Sequence, residues 1–144
     1  MKSVYRVLAY LIALGVVIQA AAIAYAWFAV LGEVNGGAVF DENSEGNAGH
    51  ALHGIVGMTV IPVVALIFLI LSFFAKVPGG VKWAAITFGL VVLQIALAFV
   101  GFGAAAVGAL HGVNAIALAA VASFAGSRVR SAVETTDVRQ REMV

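Results

Sequence analysis

Apolar residues fill three long stretches of the chain, and charged residues gather between and after them. Residues 7–32, 46–75 and 83–127 contain no Asp, Glu, Lys or Arg. A membrane-spanning helix needs about 20 mostly apolar residues. The first two stretches therefore predict one spanning helix each, and the third is long enough for two.

The third stretch should break where glycines cluster, between Gly101 and Gly108. The pattern thus predicts an all-α fold, an integral membrane four-helix bundle. It forms a single transmembrane domain over residues 1–127, followed by a cytoplasmic tail at 128–144. The predicted helices cover about 4–31, 51–75, 83–102 and 106–127.

Composition supports a membrane protein and excludes several other classes. The chain is 63% apolar and 10% charged, with a mean hydropathy of +1.09, whereas soluble domains are about 45–50% apolar and about 25% charged. A net charge of +1 provides no basic surface for nucleic acid. The absence of cysteine excludes disulfides, iron–sulfur clusters and thiolate metal sites.

The basic residues predict how the helices are oriented. With four helices, all of them fall on one side: Lys2, Arg6, Lys76, Lys82, Arg128, Arg130, Arg139 and Arg141. The loop within residues 32–50 carries only acidic charges. The excess of Lys and Arg marks the cytoplasmic side. We therefore expect a multi-pass protein of the cell inner (plasma) membrane with both termini in the cytoplasm.

The two halves of the chain resemble each other. Gln19 follows Val-Val-Ile in the first helix, and Gln94 follows Val-Val-Leu in the third. The second and fourth helices open with the same Ala-Leu-His-Gly motif, which contains His53 and His111 respectively. This repeat predicts two transmembrane hairpins of the same orientation, related by a pseudo-twofold axis along the membrane normal.

The repeat places two histidines at matching depths in the membrane. His53 and His111 each lie about one turn inside the outer end of a helix, and the symmetry directs both rings to one central site. This arrangement is typical of bis-histidine ligation of a haem. Gly54 and Gly112 would let a bulky ring approach the helices. We therefore expect a cofactor site, with haem b as the cofactor and His53 and His111 as its metal ligands.

Other roles for the histidines stay open. The imidazoles could instead make hydrogen bonds between helices. His50, three residues before His53, could donate a hydrogen bond to the cofactor, for instance to a propionate, or could replace His53 as ligand. All three histidines together could hold zinc or copper, in a site that the loop carboxylates Asp41, Glu42 and Glu45 could complete. The repeat favours His53 over His50.

The remaining polar residues of the spans predict structural roles. Gln19 and Gln94 should bond between helices, Asn114 should orient His111 or bond to the loop, and Pro62 should kink the second helix. No catalytic residues stand out, and enzymatic activity is left open.

The histidine motifs carry a resemblance to known proteins. The segments His50–Gly57 and Gln94–Ala115 resemble those of a family of small, uncharacterised four-helix bacterial membrane proteins, over about residues 4–127. More distantly, the arrangement is similar to one four-helix half of haem A synthase, which holds haem between histidines of its second and fourth helices. The resemblance implies His53 and His111 as ligands, and it does not imply haem A synthesis.

These observations lead to one main functional expectation and two alternatives. The main one is a haem b-binding membrane protein in electron transfer, haem handling or redox sensing, with its site near the outer face. The alternatives are a non-catalytic accessory subunit of a larger respiratory or transport complex, and a zinc or copper protein. The expected partners are the lipid bilayer and either a larger membrane complex or further copies of the chain.

Overall fold

Four long apolar helices make up the protein. The computed structural model describes the backbone of residues 1–141 and the side chains of residues 1–129. All four helices are long and apolar enough to cross a membrane, so the predicted all-α membrane bundle is confirmed. They are α1 (Lys2–Asn35), α2 (Ala48–Ser72), α3 (Gly80–Gly103) and α4 (Ala105–Arg141).

The helix ends differ from the predicted ones in two informative places. α2 begins at Ala48 because the side chain of Asn47 caps it, accepting hydrogen bonds from the backbone N–H groups of Gly49 and His50. The break between α3 and α4 is confined to Ala104, inside the predicted glycine-rich segment. The backbone of α4 stays helical to Arg141, so most of the predicted tail continues the fourth helix.

The helices pack as a ring in chain order. α1 contacts α2 and α4, and α3 contacts the same two helices. α2 and α4 therefore lie diagonally opposite each other. The start of α1, the end of α4 and the turn after α2 lie at one end of the bundle, which we call the basic end. The loop at residues 36–47 lies at the other, the acidic end.

The apolar core occupies the half of the bundle nearest the basic end. Tyr5 and Phe68 are fully buried there with ring centres 4.6 Å apart, and the Tyr5 hydroxyl donates a hydrogen bond to the carbonyl of Gly80 at 3.0 Å. Toward the acidic end, the contiguous buried cluster ends at a layer that takes one apolar residue from each helix: Val16, Ile61, Val91 and Leu118. Above this layer the four helices surround a cavity.

Glycines bring the helices of each hairpin together at the acidic end. A Cβ atom on Gly49 would lie 2.7 Å from the carbonyl oxygen of Ala22 in α1. A Cβ atom on Gly101 would lie 2.8 Å from the Cα atom of Gly108, across the turn between α3 and α4. Each hairpin is therefore closely packed beside the cavity.

A π-helical segment, Val56–Val60, interrupts α2. Its wider hydrogen bonding appears where the backbone N–H of Ile61 donates to the carbonyl of Val56, five residues earlier. The segment ends just before Pro62, which has no N–H to continue the α-helical pattern. Pro62 predicts a kink at this point, and the sequence does not predict the π segment.

The π segment accommodates one extra residue in the first repeat. Ile61 follows His53 by eight positions, whereas Leu118 follows His111 by seven. Beyond these two residues the buried positions of the two helices have the same spacing: Ile61, Ala65, Phe68 and Ser72 in α2, and Leu118, Ala122, Ala125 and Val129 in α4. The π turn thus keeps both histidines and the core in register despite the insertion.

We expect Gly101→Ala to destabilise the bundle, because its methyl group would collide with the backbone at Gly108. Overpacking of this kind costs about 1–3 kcal/mol, measured as a lower unfolding temperature in detergent. Gly103→Ala is the matched control, since a Cβ atom there meets nothing within 4 Å. Equal stability of the two variants would contradict the close packing of α3 against α4.

Candidate functional site

The cavity above the core layer has a volume of about 640 Å³ and is lined by residues of all four helices. Its lining is mostly apolar. The exceptions are Gln19, His53, Gln94 and His111, one from each helix. The polar groups of the cavity are therefore the glutamine and histidine of each sequence repeat.

The two imidazoles face each other across the bundle. The ring centres of His53 and His111 lie 6.1 Å apart, with 58° between the ring planes. Both side chains are partly buried. The structure thus brings together the two residues that the repeat predicts as a pair.

Each imidazole is fixed by the backbone of the preceding helix in its own hairpin. Nδ1 of His53 lies 3.1 Å from the carbonyl oxygen of Gln19, and Nδ1 of His111 lies 3.0 Å from that of Gln94. A carbonyl oxygen can only accept a hydrogen bond, so both Nδ1 atoms carry the proton. In a neutral imidazole Nε2 then keeps its lone pair, which is the form that binds a metal ion.

The cavity wall also follows the internal repeat. Gly54 and Gly112, which come after the histidines, line opposite sides of it. A Cβ atom on either glycine would meet nothing within 4 Å. Both glycines therefore leave open space beside the imidazoles.

The second repeat holds its histidine with a closed set of hydrogen bonds. The Gln94 side chain donates from Nε2 to the carbonyl of His111 at 3.0 Å. Asn114 donates from Nδ2 to Oε1 of Gln94 and to the carbonyl of Leu90. Asn114 was expected to orient His111 directly or to reach the loop, and it acts instead through Gln94. The result ties α3 to α4 around His111.

The first repeat lacks this arrangement. Gln19 is only 8% exposed, and its Nε2 atom is buried with no hydrogen-bond partner in the described part of the chain. Val56 stands three residues after His53, where Asn114 follows His111 in the other repeat. A valine cannot bond to the glutamine, so the two halves of the site differ chemically.

His50 lies away from the cavity. Its Nδ1 atom accepts a hydrogen bond from the backbone N–H of Asn47 at 3.3 Å, which completes a capping box at the start of α2. Its ring packs edge-on against Trp27, with centres 5.3 Å apart. This placement fits a role in starting the helix that carries His53. This capping role of His50 was not predicted from the sequence, because the third position of a capping box is usually Glu or Gln.

The side chains present limit which metal centre the cavity can hold. Among the described residues, no three His, Cys, Asp or Glu side chains come together as a metal-binding group. The acidic residues of the loop, which the zinc or copper alternative would use, are not among the cavity-lining residues. The protein therefore offers two imidazoles to any metal in this cavity.

The chain has no recognisable relatives in the comparisons with known proteins. No protein-family model, no curated protein and no solved structure matches it. The resemblance to haem-binding bundles therefore stays a prediction from the motifs, and the functional argument depends on the geometry of the cavity.

The difference between the two glutamines makes a testable prediction about stability. Gln94→Leu removes two hydrogen bonds and leaves Asn114 with one partner, so we expect a loss of about 1–3 kcal/mol. Gln19→Leu removes an unpaired amide and should leave the cofactor-free protein as stable or more so. Thermal unfolding in detergent compares them. A larger loss for Gln19→Leu would contradict the hydrogen bonding described for the site.

Proposed function

We propose that the protein binds one haem b between His53 and His111, and that it works in electron transfer, haem handling or redox sensing in the membrane. One observation carries the proposal. The two imidazoles face each other across an apolar cavity, and each is fixed through Nδ1 so that Nε2 is free to bind iron.

The spacing of the rings supports ligation of one metal ion from opposite sides. A metal–imidazole nitrogen bond is about 2 Å long, and each nitrogen lies about 1 Å from the centre of its own ring, so two opposed ligands place their ring centres about 6 Å apart. The observed separation is 6.1 Å. This separation of the ring centres supports the proposal that the two imidazoles would bind one iron between them.

The number of ligands favours haem over a bare metal ion. Structural zinc needs four protein ligands and catalytic zinc three, but the cavity supplies two. In haem the porphyrin provides four nitrogens to the iron, and the protein adds only the axial ligands. Haem b also requires no covalent attachment, in agreement with a chain that contains no cysteine.

The cavity has the size and polarity that a large flat cofactor needs. Its volume of about 640 Å³ lies within the range of about 300–1,000 Å³ for ligand pockets. Its walls are mostly apolar, and Gly54 and Gly112 leave space beside the two ligands. In the accessory-subunit alternative the histidines have only a structural role, which their Nδ1 bonds between helices would fill, and the open space beside them has none.

Charge limits how the haem would be placed. The loop at the acidic end carries Asp41, Glu42 and Glu45 and no basic residue. Hydrogen bonds from the backbone N–H of Asn43 and the hydroxyl of Ser44 hold the pKa of Asp41 below its ordinary value, so it stays charged. The loop therefore supplies no basic partner to the haem propionates, which would need water or backbone N–H groups instead.

The iron, the two carbonyls and the cavity walls would each have a separate role. Haem iron supplies one-electron chemistry, and its reduction potential depends on burial and on hydrogen bonds to its ligands. The carbonyls of Gln19 and Gln94 orient the rings by accepting the Nδ1 protons. The apolar walls exclude water from the metal.

We further propose that the basic end faces the cytoplasm, which places the haem site near the outer face of the membrane. The basic residues with described side chains lie at that end of the bundle, and the three other arginines follow Arg128 in the sequence. Such an excess is typical of cytoplasmic segments.

Replacing either ligand should remove the six-coordinate haem. We expect His53→Ala and His111→Ala to lose the cofactor or to convert it to a five-coordinate form, because an axial bond to iron is lost. The visible spectrum of the purified, reduced protein reports this through its Soret and α/β bands.

Two further variants serve as controls for that experiment. His50→Ala should keep the low-spin spectrum, because His50 lies against Trp27. Gly112→Leu should exclude haem without unfolding the chain, because its side chain enters open space. If His50→Ala abolishes binding and His53→Ala does not, the assignment of the ligand in α2 is wrong.

The orientation can be tested by labelling, because the chain has no native cysteine. A membrane-impermeant maleimide should react with Asn43→Cys in intact cells and with Ser3→Cys only after the membrane is permeabilised. The opposite pattern would show that the acidic end faces the cytoplasm.

A further inference from the structure

The two ligands of the candidate haem site differ in the number of hydrogen bonds that fix them. His111 belongs to a closed network of hydrogen bonds. The backbone carbonyl of Gln94 accepts from the His111 ring, and the Gln94 side chain donates to the His111 carbonyl. Asn114 in turn donates to the Gln94 side chain. His53 has one bond, from Nδ1 to the carbonyl of Gln19. His111 is therefore the better fixed of the two imidazoles.

The backbone next to His53 is also less constrained. The π-helical segment begins three residues after it, and none of the residues Val56–Val60 is buried. At the same level of α4, Asn114 is buried and bonded. The start of α2 is anchored on α1 through Gly49, so the difference between the two halves is confined to His53 and the π segment that follows it. π turns of this kind are frequent at functional sites.

The same half of the cavity contains an unsatisfied polar group. Gln19 lines the cavity, is more than nine-tenths buried and makes no side-chain hydrogen bond to the described residues. Within a membrane no bulk water satisfies such an amide, and leaving it unpaired costs free energy. A half-turn of the terminal amide exchanges its N–H and C=O groups, so it can present either one to a ligand.

We propose that the His53 side of the haem is an exchangeable coordination position, which admits a neutral diatomic molecule to which the Gln19 amide donates a hydrogen bond. The inference rests on the proposed haem site. In the exchange, the iron–Nε2 bond of His53 breaks and a bond from the iron to the diatomic forms. The imidazole keeps its lone pair and its Nδ1 proton, no electron is transferred, and His111 stays bound.

Carbon monoxide added to the reduced, haem-loaded protein is the probe. The visible spectrum before addition shows whether haem is bound, so a protein without haem refutes the proposed function and this inference with it. With haem bound, we expect carbon monoxide to form a six-coordinate adduct. A haem protein that does not bind carbon monoxide would overturn the inference alone.

Ligand variants identify which histidine leaves. We expect His53→Ala to keep haem in a five-coordinate form on His111 and to give the same carbon monoxide adduct as the unaltered protein. We expect His111→Ala to lose haem. The reverse assignment would overturn the proposal, because the firmly held ligand would then be the one that exchanges.

The role of Gln19 is read from the C–O stretching frequency. Gln19→Leu removes the hydrogen-bond donor and should shift this frequency upward, whereas Met58→Leu, a change in the apolar lining, should not. Val56→Asn gives the first repeat the counterpart of Asn114. The new amide should form a hydrogen bond with the Gln19 side chain and so slow carbon monoxide binding. An unchanged frequency in Gln19→Leu would show that the amide does not contact the bound molecule.

Discussion

The arrangement of the site depends on one interaction, the hydrogen bond from each histidine Nδ1 to a glutamine carbonyl in the preceding helix. Hydrocarbon offers no water to an imidazole N–H, so the proton must find a partner within the protein. The bond joins the two helices of each hairpin at the same level. It also selects the tautomer, and so decides that both free lone pairs belong to Nε2.

Most of the fold could be predicted from the sequence, because membrane helices need long apolar runs and those runs are visible by inspection. The hairpin repeat was also visible, since Ala-Leu-His-Gly occurs at the start of both α2 and α4. The start of α2 was predicted three residues late. Its cap uses Asn47 with His50, and a histidine at that position is not an obvious capping signal.

Details of the site could not be predicted because they depend on backbone atoms and on register. The carbonyls of Gln19 and Gln94 accept the histidine protons. Every residue has such a backbone carbonyl, so the pattern of residue types does not show which of them accepts. The π segment reflects one extra residue between His53 and Ile61, which is hidden unless the buried faces of α2 and α4 are compared. The contrast between Gln94 and Gln19 follows from the single difference of Asn114 and Val56.

The most direct test of the account is electron paramagnetic resonance of the oxidised, purified protein, combined with its haem content. Two opposed imidazoles at one iron predict one haem b per chain and the low-spin ferric signal of bis-histidine coordination. A purified protein that takes up no haem when it is supplied, or a high-spin ferric signal at full occupancy, would contradict the claim that His53 and His111 bind one iron together.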